Sequence, residues 1–349
     1  MSGLSRRHLL GAGSAAGALG LMTAVRPGLL PGWLRQDPAA APLRLGTGKH
    51  TYEWVADWVK LPAGRTLGNT HGCMVSDSKG RIVVNTDTEH AVLLFDADGR
   101  LLNSWGKELA GGAHGMAVLK EGESEFLYLT HTGRGELLKC TLEGEVLWRL
   151  GVPTESGHYE NPNQYKPTSV AVAPDGRIFV ADGYGLSWVH LYSPERKYLR
   201  SIGGPGAEPG QMRTPHGLWM DSRRGAPMLT VADRENHRLQ YFDLDGEHLG
   251  MLDHDLRRPC HAHQHGSDLV VADLAGRVSI FDAEDKLVTH LGDQPDPAKR
   301  ANNGVARELW QTGEFISPHC AHWDASGDLY VMDWLSAGRL TKLRRVGIS

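Results

Sequence analysis

Three histidines recur in similar surroundings: Ala113-His114-Gly115, Pro215-His216-Gly217 and Pro318-His319-Cys320. Three neutral imidazoles around an open position form the ligand set of a catalytic zinc, which polarises a bound oxygen or lowers the pKa of water to about 7. A lone histidine at a strand start can simply cap neighbouring backbone, but three in one context favour a metal. His71, in Thr70-His71-Gly72, occupies a similar position. Its roles stay open between fourth ligand, proton carrier, support for the ligands and core filling. The run Pro259-Cys-His-Ala-His-Gln-His265 adds His261, His263 and His265 as lining residues, with Cys260 where the other units have histidine.

The elements that must position these side chains form a repeat of roughly 45 to 60 residues. Each unit reads as an apolar inner strand, a turn, a strand ending in an acidic residue, then two more strands. Units begin near His71, His114, Thr168, His216, Cys260 and His319. The stretches Val170–Asp182 and Leu269–Asp273 carry the strand signal, and Asp98-Gly99, Asp175-Gly176 and Asp245-Gly246 are hairpin-turn pairs. Six units predict an all-β fold, a six-bladed β-propeller. His114, His216 and His319 then open the inner strands of blades two, four and six, a third of a turn apart, and converge on the axis. The last unit has three clear strands, 319–324, 328–334 and 339–345. Segment 50–59 is expected to supply its fourth, closing the ring and covering a sheet edge.

Chain direction places further chemistry. The second strand of each blade returns to the face where the histidines stand, so the turns after it lie beside them. Those turns contain Tyr184 in blade three and Arg234 in blade four. Alone, the tyrosine reads as hairpin packing and the arginine as the partner of Asp233; their shared placement makes both catalytic candidates. The polar insertion 293–314, with Asn302, Asn303 and Trp310, is expected to act as a lid over the same face.

The formal charge of the 349 residues is -4, without blocks of like charge. That balance argues against a nucleic-acid or anionic-membrane surface and for a small-molecule or peptide-like substrate, with the chain as a monomer. Residues 1–41 read as a twin-arginine export signal and linker: Arg6-Arg7 precede the weakly hydrophobic run 9–25. The expected location is the periplasm or the exterior, with membrane attachment only if the signal stays uncleaved. Residues 42–349 are expected to form the propeller. Cys73, Cys260 and Cys320 neighbour the histidine positions and, with Cys140, read as buried core thiols, with disulfide, metal or redox chemistry as the alternative.

From Tyr165 to Asp243, the segments Lys166-Pro-Thr-Ser-Val-Ala-Val172, Val180-Ala-Asp-Gly-Tyr184, Pro215-His-Gly217 and Val231-Ala-Asp-Arg-Glu-Asn-His-Arg238 follow one order. In that order the chain resembles the peptidyl-α-hydroxyglycine α-amidating lyases, six-bladed propellers of NHL-type repeats. The resemblance implies zinc held by His114, His216 and His319, Tyr184 as catalytic base and Arg234 in the substrate pocket. It also implies a structural calcium at the axis, bound through carbonyls such as those of Cys73 and Met116. Three positions depart from the family pattern. A second active-site arginine is Thr86, an acidic calcium ligand is Cys320, and two cysteines that staple the tyrosine loop are Tyr165 and Gly185.

The leading functional expectation is an exported zinc-dependent lyase that cleaves a C–N or C–O bond of a small hydroxylated substrate. Two others keep the same scaffold: a lactonase-like metal-dependent hydrolase, and a non-catalytic NHL propeller that binds a ligand or protein.

Overall fold

A computed structural model describes residues 41–347. The export signal read at Arg6-Arg7 lies outside the described residues. Those residues form six antiparallel sheets, five of four strands and one of five, with consecutive strands adjacent in each blade. The fold is the expected all-β six-bladed propeller. No described helix is long and apolar enough to cross a membrane.

Second strands such as Ile82–Asn85, Ile178–Ala181 and Met228–Asp233 are buried along their whole length. Each lies between two neighbouring blades, which is why it reads as a continuous apolar run rather than an alternation. Outer strands such as His248–Leu252 are mostly half-exposed or exposed and carry the mixed pattern. Between blades, Phe179 and Leu191 pack with Leu218 and Leu229, and Val270 and Ile280 with Trp323 and Val331.

The ring closes through His50–Val55, which pairs antiparallel with Arg339–Arg345. The closing strand ends at Val55, short of the expected Val59, and a further strand, Arg44–Thr47, folds back on it to make the fifth. Tyr52 is fully buried there, and its hydroxyl accepts from Trp323 Nε1 at 2.8 Å. His50 Nε2 lies 2.9 Å from Asp268 of blade five, so the closure also joins a neighbouring blade.

In blades three to six the acid at the end of the second strand pins the loop leading into its own blade. Asp182 accepts from Lys166 N, Asp233 from Arg213 N, Asp273 from Arg257 N and Arg258 N, and Asp333 from Ile316 N and Ser317 N. Asp233 is fully buried and also takes Arg238 Nε at 2.8 Å and Gln240 Nε2 at 3.0 Å. Removing one partner of such a pair leaves an uncompensated buried charge and orphaned donors. Asp233→Ala is therefore expected to cost about 3–5 kcal/mol in a urea unfolding titration. A loss within error would show that the pin contributes nothing.

The inner strands are irregular where the site begins. Their pairing register shifts between Ala113 and Met116, Pro215 and Leu218, Pro259 and His261, and Pro318 and Cys320. Bulges of this kind re-aim a side chain beside an active site. Each shift falls at the position occupied by His114, His216, Cys260 or His319.

Candidate metal centre

The three alternating histidines use one device. His114 Nδ1 donates to Thr168 O of blade three at 2.7 Å, His216 Nδ1 to Cys260 O of blade five at 2.9 Å, and His319 Nδ1 to Gly72 O of blade one at 2.7 Å. A carbonyl can only accept, so each Nδ1 carries the proton and each Nε2 presents a lone pair. Glycine after the histidine makes room for this contact. A Cβ at Gly115 would stand 2.3 Å from Thr168 O, and one at Gly217 would stand 2.3 Å from Cys260 O. Pro-His-Gly thus encodes a close approach to the next blade as well as a ligand.

The rings gather at the axis, with centroids 4.9 Å apart for His114 and His216, 5.1 Å for His114 and His319, and 4.6 Å for His216 and His319. All three are buried. Burial holds each imidazole well below its ordinary pKa, with the Arg234 guanidinium adding to the effect, so the rings are neutral. His71 joins them, its ring 5.0 Å from those of both His114 and His319, and is pushed down to about 4 by burial and then by Arg234.

Tyr184 reaches into this group from the turn of blade three. Its hydroxyl lies 2.9 Å from His216 Nε2, 3.1 Å from His71 Nε2 and 3.3 Å from His114 Nε2, and Arg234 Nη1 donates to it at 3.4 Å. One phenolic proton can serve only one of these acceptors. His319 Nε2 is buried with no hydrogen-bond partner. Converging lone pairs short of donors are a costly arrangement that a cation relieves, and on this ground the donor set fits a metal. The nitrogens of His71, His114 and His319 lie within 4.8 Å of one another, as do the ligand atoms of His216, Cys260 and His319.

Burial raises the Tyr184 phenol to about 12, and the guanidinium of Arg234 opposes that shift without overcoming it. Arg234 stays charged, as a guanidinium does even where burial opposes it, with the Glu235 carboxylate beside it. Glu235 accepts from Arg234 Nε at 2.9 Å and from Arg258 Nη2 at 2.6 Å, which brings a second guanidinium to the same rim. Thr86, at the position of the family's other arginine, is buried and hydrogen-bonds within its own turn to Thr88 and the His90 carbonyl.

The tyrosine loop is held without a disulfide. Asp182 accepts from Lys166 N and Leu186 N, both at 2.6 Å, and from Tyr159 OH at 2.8 Å. Gly185 leaves no space for a side chain, since a Cβ there would stand 2.1 Å from Asp182 Oδ1. Tyr165 packs into the adjoining core.

The remaining expectations divide. His261 lines the axial cavity, whereas His263 packs at a tilt against His322 with ring centroids 3.9 Å apart and His265 faces Trp323, both away from the histidine centre. The expected lid packs through Val305 against Ile316 and Leu335, and its Trp310 lines a groove of about 610 Å³ with Trp54, Trp58 and Arg339, a groove that none of the site histidines lines. Sequence reasoning missed Trp334, whose ring lies 5.4 Å from that of His71, and Arg258. The signal available for Arg258 was its place just before the inner strand of blade five. The lining of the axial cavity holds no carboxylate, so a calcium there would take its six to eight oxygens from backbone carbonyls and water.

No family model matches the chain. It is 33% identical over 174 residues to peptidyl-glycine alpha-amidating monooxygenase B of Xenopus laevis, covering 48% of this chain and 19% of that protein. It is 29% identical over 214 residues to NHL repeat-containing protein 3 of Homo sapiens, covering 58% and 60%. With a probable peptidyl-alpha-hydroxyglycine alpha-amidating lyase of Caenorhabditis elegans it shares 28% over 163 residues, covering 46% and 44%. The alignments span less than two thirds of each of these relatives. Among solved structures, a streptogramin B lyase superposes with a TM-score of 0.57 at 13% identity, covering 86% of this chain and 99% of that one, a likeness of fold. Sheet topology and sequence similarity agree that this chain is a six-bladed β-propeller related to NHL-repeat proteins and to the peptidyl-α-hydroxyglycine α-amidating lyases.

Proposed function

We propose that this chain is an exported, monomeric, zinc-dependent lyase that cleaves a C–N or C–O bond of a small hydroxylated substrate. The observation that carries the reading is the threefold use of Nδ1–H···O=C bonds, which turns the Nε2 atoms of His114, His216 and His319 toward the axis. A bound zinc supplies Lewis acidity at this point. His114, His216 and His319 would hold it.

The chain's own residues divide the rest of the work. Arg234, charged and aimed at Tyr184 OH, can take a substrate carboxylate through charge-assisted hydrogen bonds, with Arg258 linked to it by Glu235. Tyr184 is the group that takes the substrate hydroxyl proton. Its phenol is neutral while burial dominates, so it becomes a base only when positive charge beside it grows. His71 Nε2, 3.1 Å from the phenol oxygen, can accept the proton onward. His114, His216 and His319 are buried and His71, Tyr184 and Arg234 half-buried around them, which limits bulk water at the reacting atoms.

Release of glyoxylate from an α-hydroxyglycine derivative tests this reading directly. Ring opening of lactones without glyoxylate release would replace it with the hydrolase. Arg234→Ala is expected to raise KM for a carboxylate-bearing substrate about 10- to 100-fold, the equivalent of a charged hydrogen bond. An unchanged KM in steady-state kinetics would remove Arg234 from substrate binding. Export is tested by Arg6→Lys with Arg7→Lys, which should leave the chain in the cytoplasmic fraction.

A further inference from the structure

Beneath the histidines lies a second cluster that the proposed reaction does not use. Cys73 of blade one, Cys320 of blade six and His261 of blade five are all buried, and their ligand atoms lie within 4.8 Å of one another. The two Sγ atoms are 3.2 Å apart, and all four cysteines of the chain are free. Two sulfurs bound to one ion at about 2.3 Å each can stand at most about 4.6 Å apart, so both can reach a common ion.

His261 repeats the device of the upper ring one residue farther along its strand. Its Nδ1 donates to Ala321 O of blade six at 3.1 Å, which leaves Nε2 as the free acceptor. Met74 N donates to Cys320 Sγ at 3.2 Å, a contact that favours a thiolate. The adjoining axial cavity, about 10 Å³ and lined by Cys73, His261 and the three upper histidines, has room for a single small species.

We propose that Cys73, Cys320 and His261 form a second metal site, for a thiophilic closed-shell ion, Zn²⁺ or Cu⁺. Two thiolates and an imidazole select such ions over calcium or magnesium, which require oxygen. Binding releases the two thiol protons to solvent and replaces them with metal–sulfur bonds. The site links blades five, six and one, next to the seam where the two ends of the propeller meet, and its role is structural.

The test uses the full chain purified from its export compartment. Metal analysis should show one equivalent of zinc or copper that is lost in Cys73→Ser/Cys320→Ser and kept in Cys140→Ser, a buried thiol on the third strand of blade two. Reconstitution with Co²⁺ should give thiolate charge-transfer absorption in the wild type and in His216→Ala, but none in the double cysteine variant. Persistence in His216→Ala separates this site from the upper one. Should the double variant not fold, X-ray absorption at the metal edge of the wild type should still show sulfur at about 2.3 Å. Nitrogen and oxygen scatterers alone, unchanged metal content in the double variant, or a Cys73–Cys320 disulfide in the isolated protein would each overturn the proposal.

Discussion

Replacing His216 by alanine will strip the histidine centre of its metal and abolish turnover. The measurement belongs in a Cys73→Ser/Cys320→Ser background, so that only the upper centre is counted. There the parent should hold one zinc per chain and His216→Ala almost none. Loss of a residue that merely supports a zinc ligand weakens binding by about 10- to 100-fold, and loss of a ligand should exceed that. The imidazole also joins blade four to blade five, where its Nδ1 bonds Cys260 O, so some loss of stability will accompany the loss of metal. His216→Gln controls for volume and should fail to restore zinc. If the alanine variant retains zinc and activity, the centre is assigned to the wrong residues.

Tyr184→Phe should lower kcat by about 10²- to 10⁴-fold, the range for a positioned acid or base, with zinc content unchanged. Only the hydroxyl is removed. The ring keeps its place beside His71, at 5.9 Å between centroids, and under the guanidinium of Arg234. Because burial pushes the phenol up to about 12, its conversion to phenolate depends on nearby positive charge. Lowering that charge with Arg234→Ala should therefore shift the alkaline-rising limb of the pH–rate profile to higher pH. A phenylalanine variant as active as the parent would leave a binding or structural role for the centre.

Much of this architecture could be read from the chain. Six apolar units, three of them with Asp-Gly turns, specify a closed all-β ring, since strand period and turn chemistry are local. The three histidines share a sequence context because they share a structural position, and Tyr184 and Arg234 follow from the direction in which the second strands run. Segment 50–59 was legible as a closing strand because the last unit lacked one. Its end at Val55 and the extra strand Arg44–Thr47 were not, because pairing length depends on the partner strand and the following turn.

What required the folded structure depends on contacts between blades. The paired thiols of Cys73 and Cys320 lie at opposite ends of the chain, and each alone reads as a small buried core residue. Their approach to His261 arises only when blades five, six and one meet around the axis. The linear order of residues determined which side chains face the axis, through strand period and the glycine after His114 and His216. Tertiary packing decided which of those side chains meet, because bulges and ring closure set their heights to within the few ångströms that coordination demands.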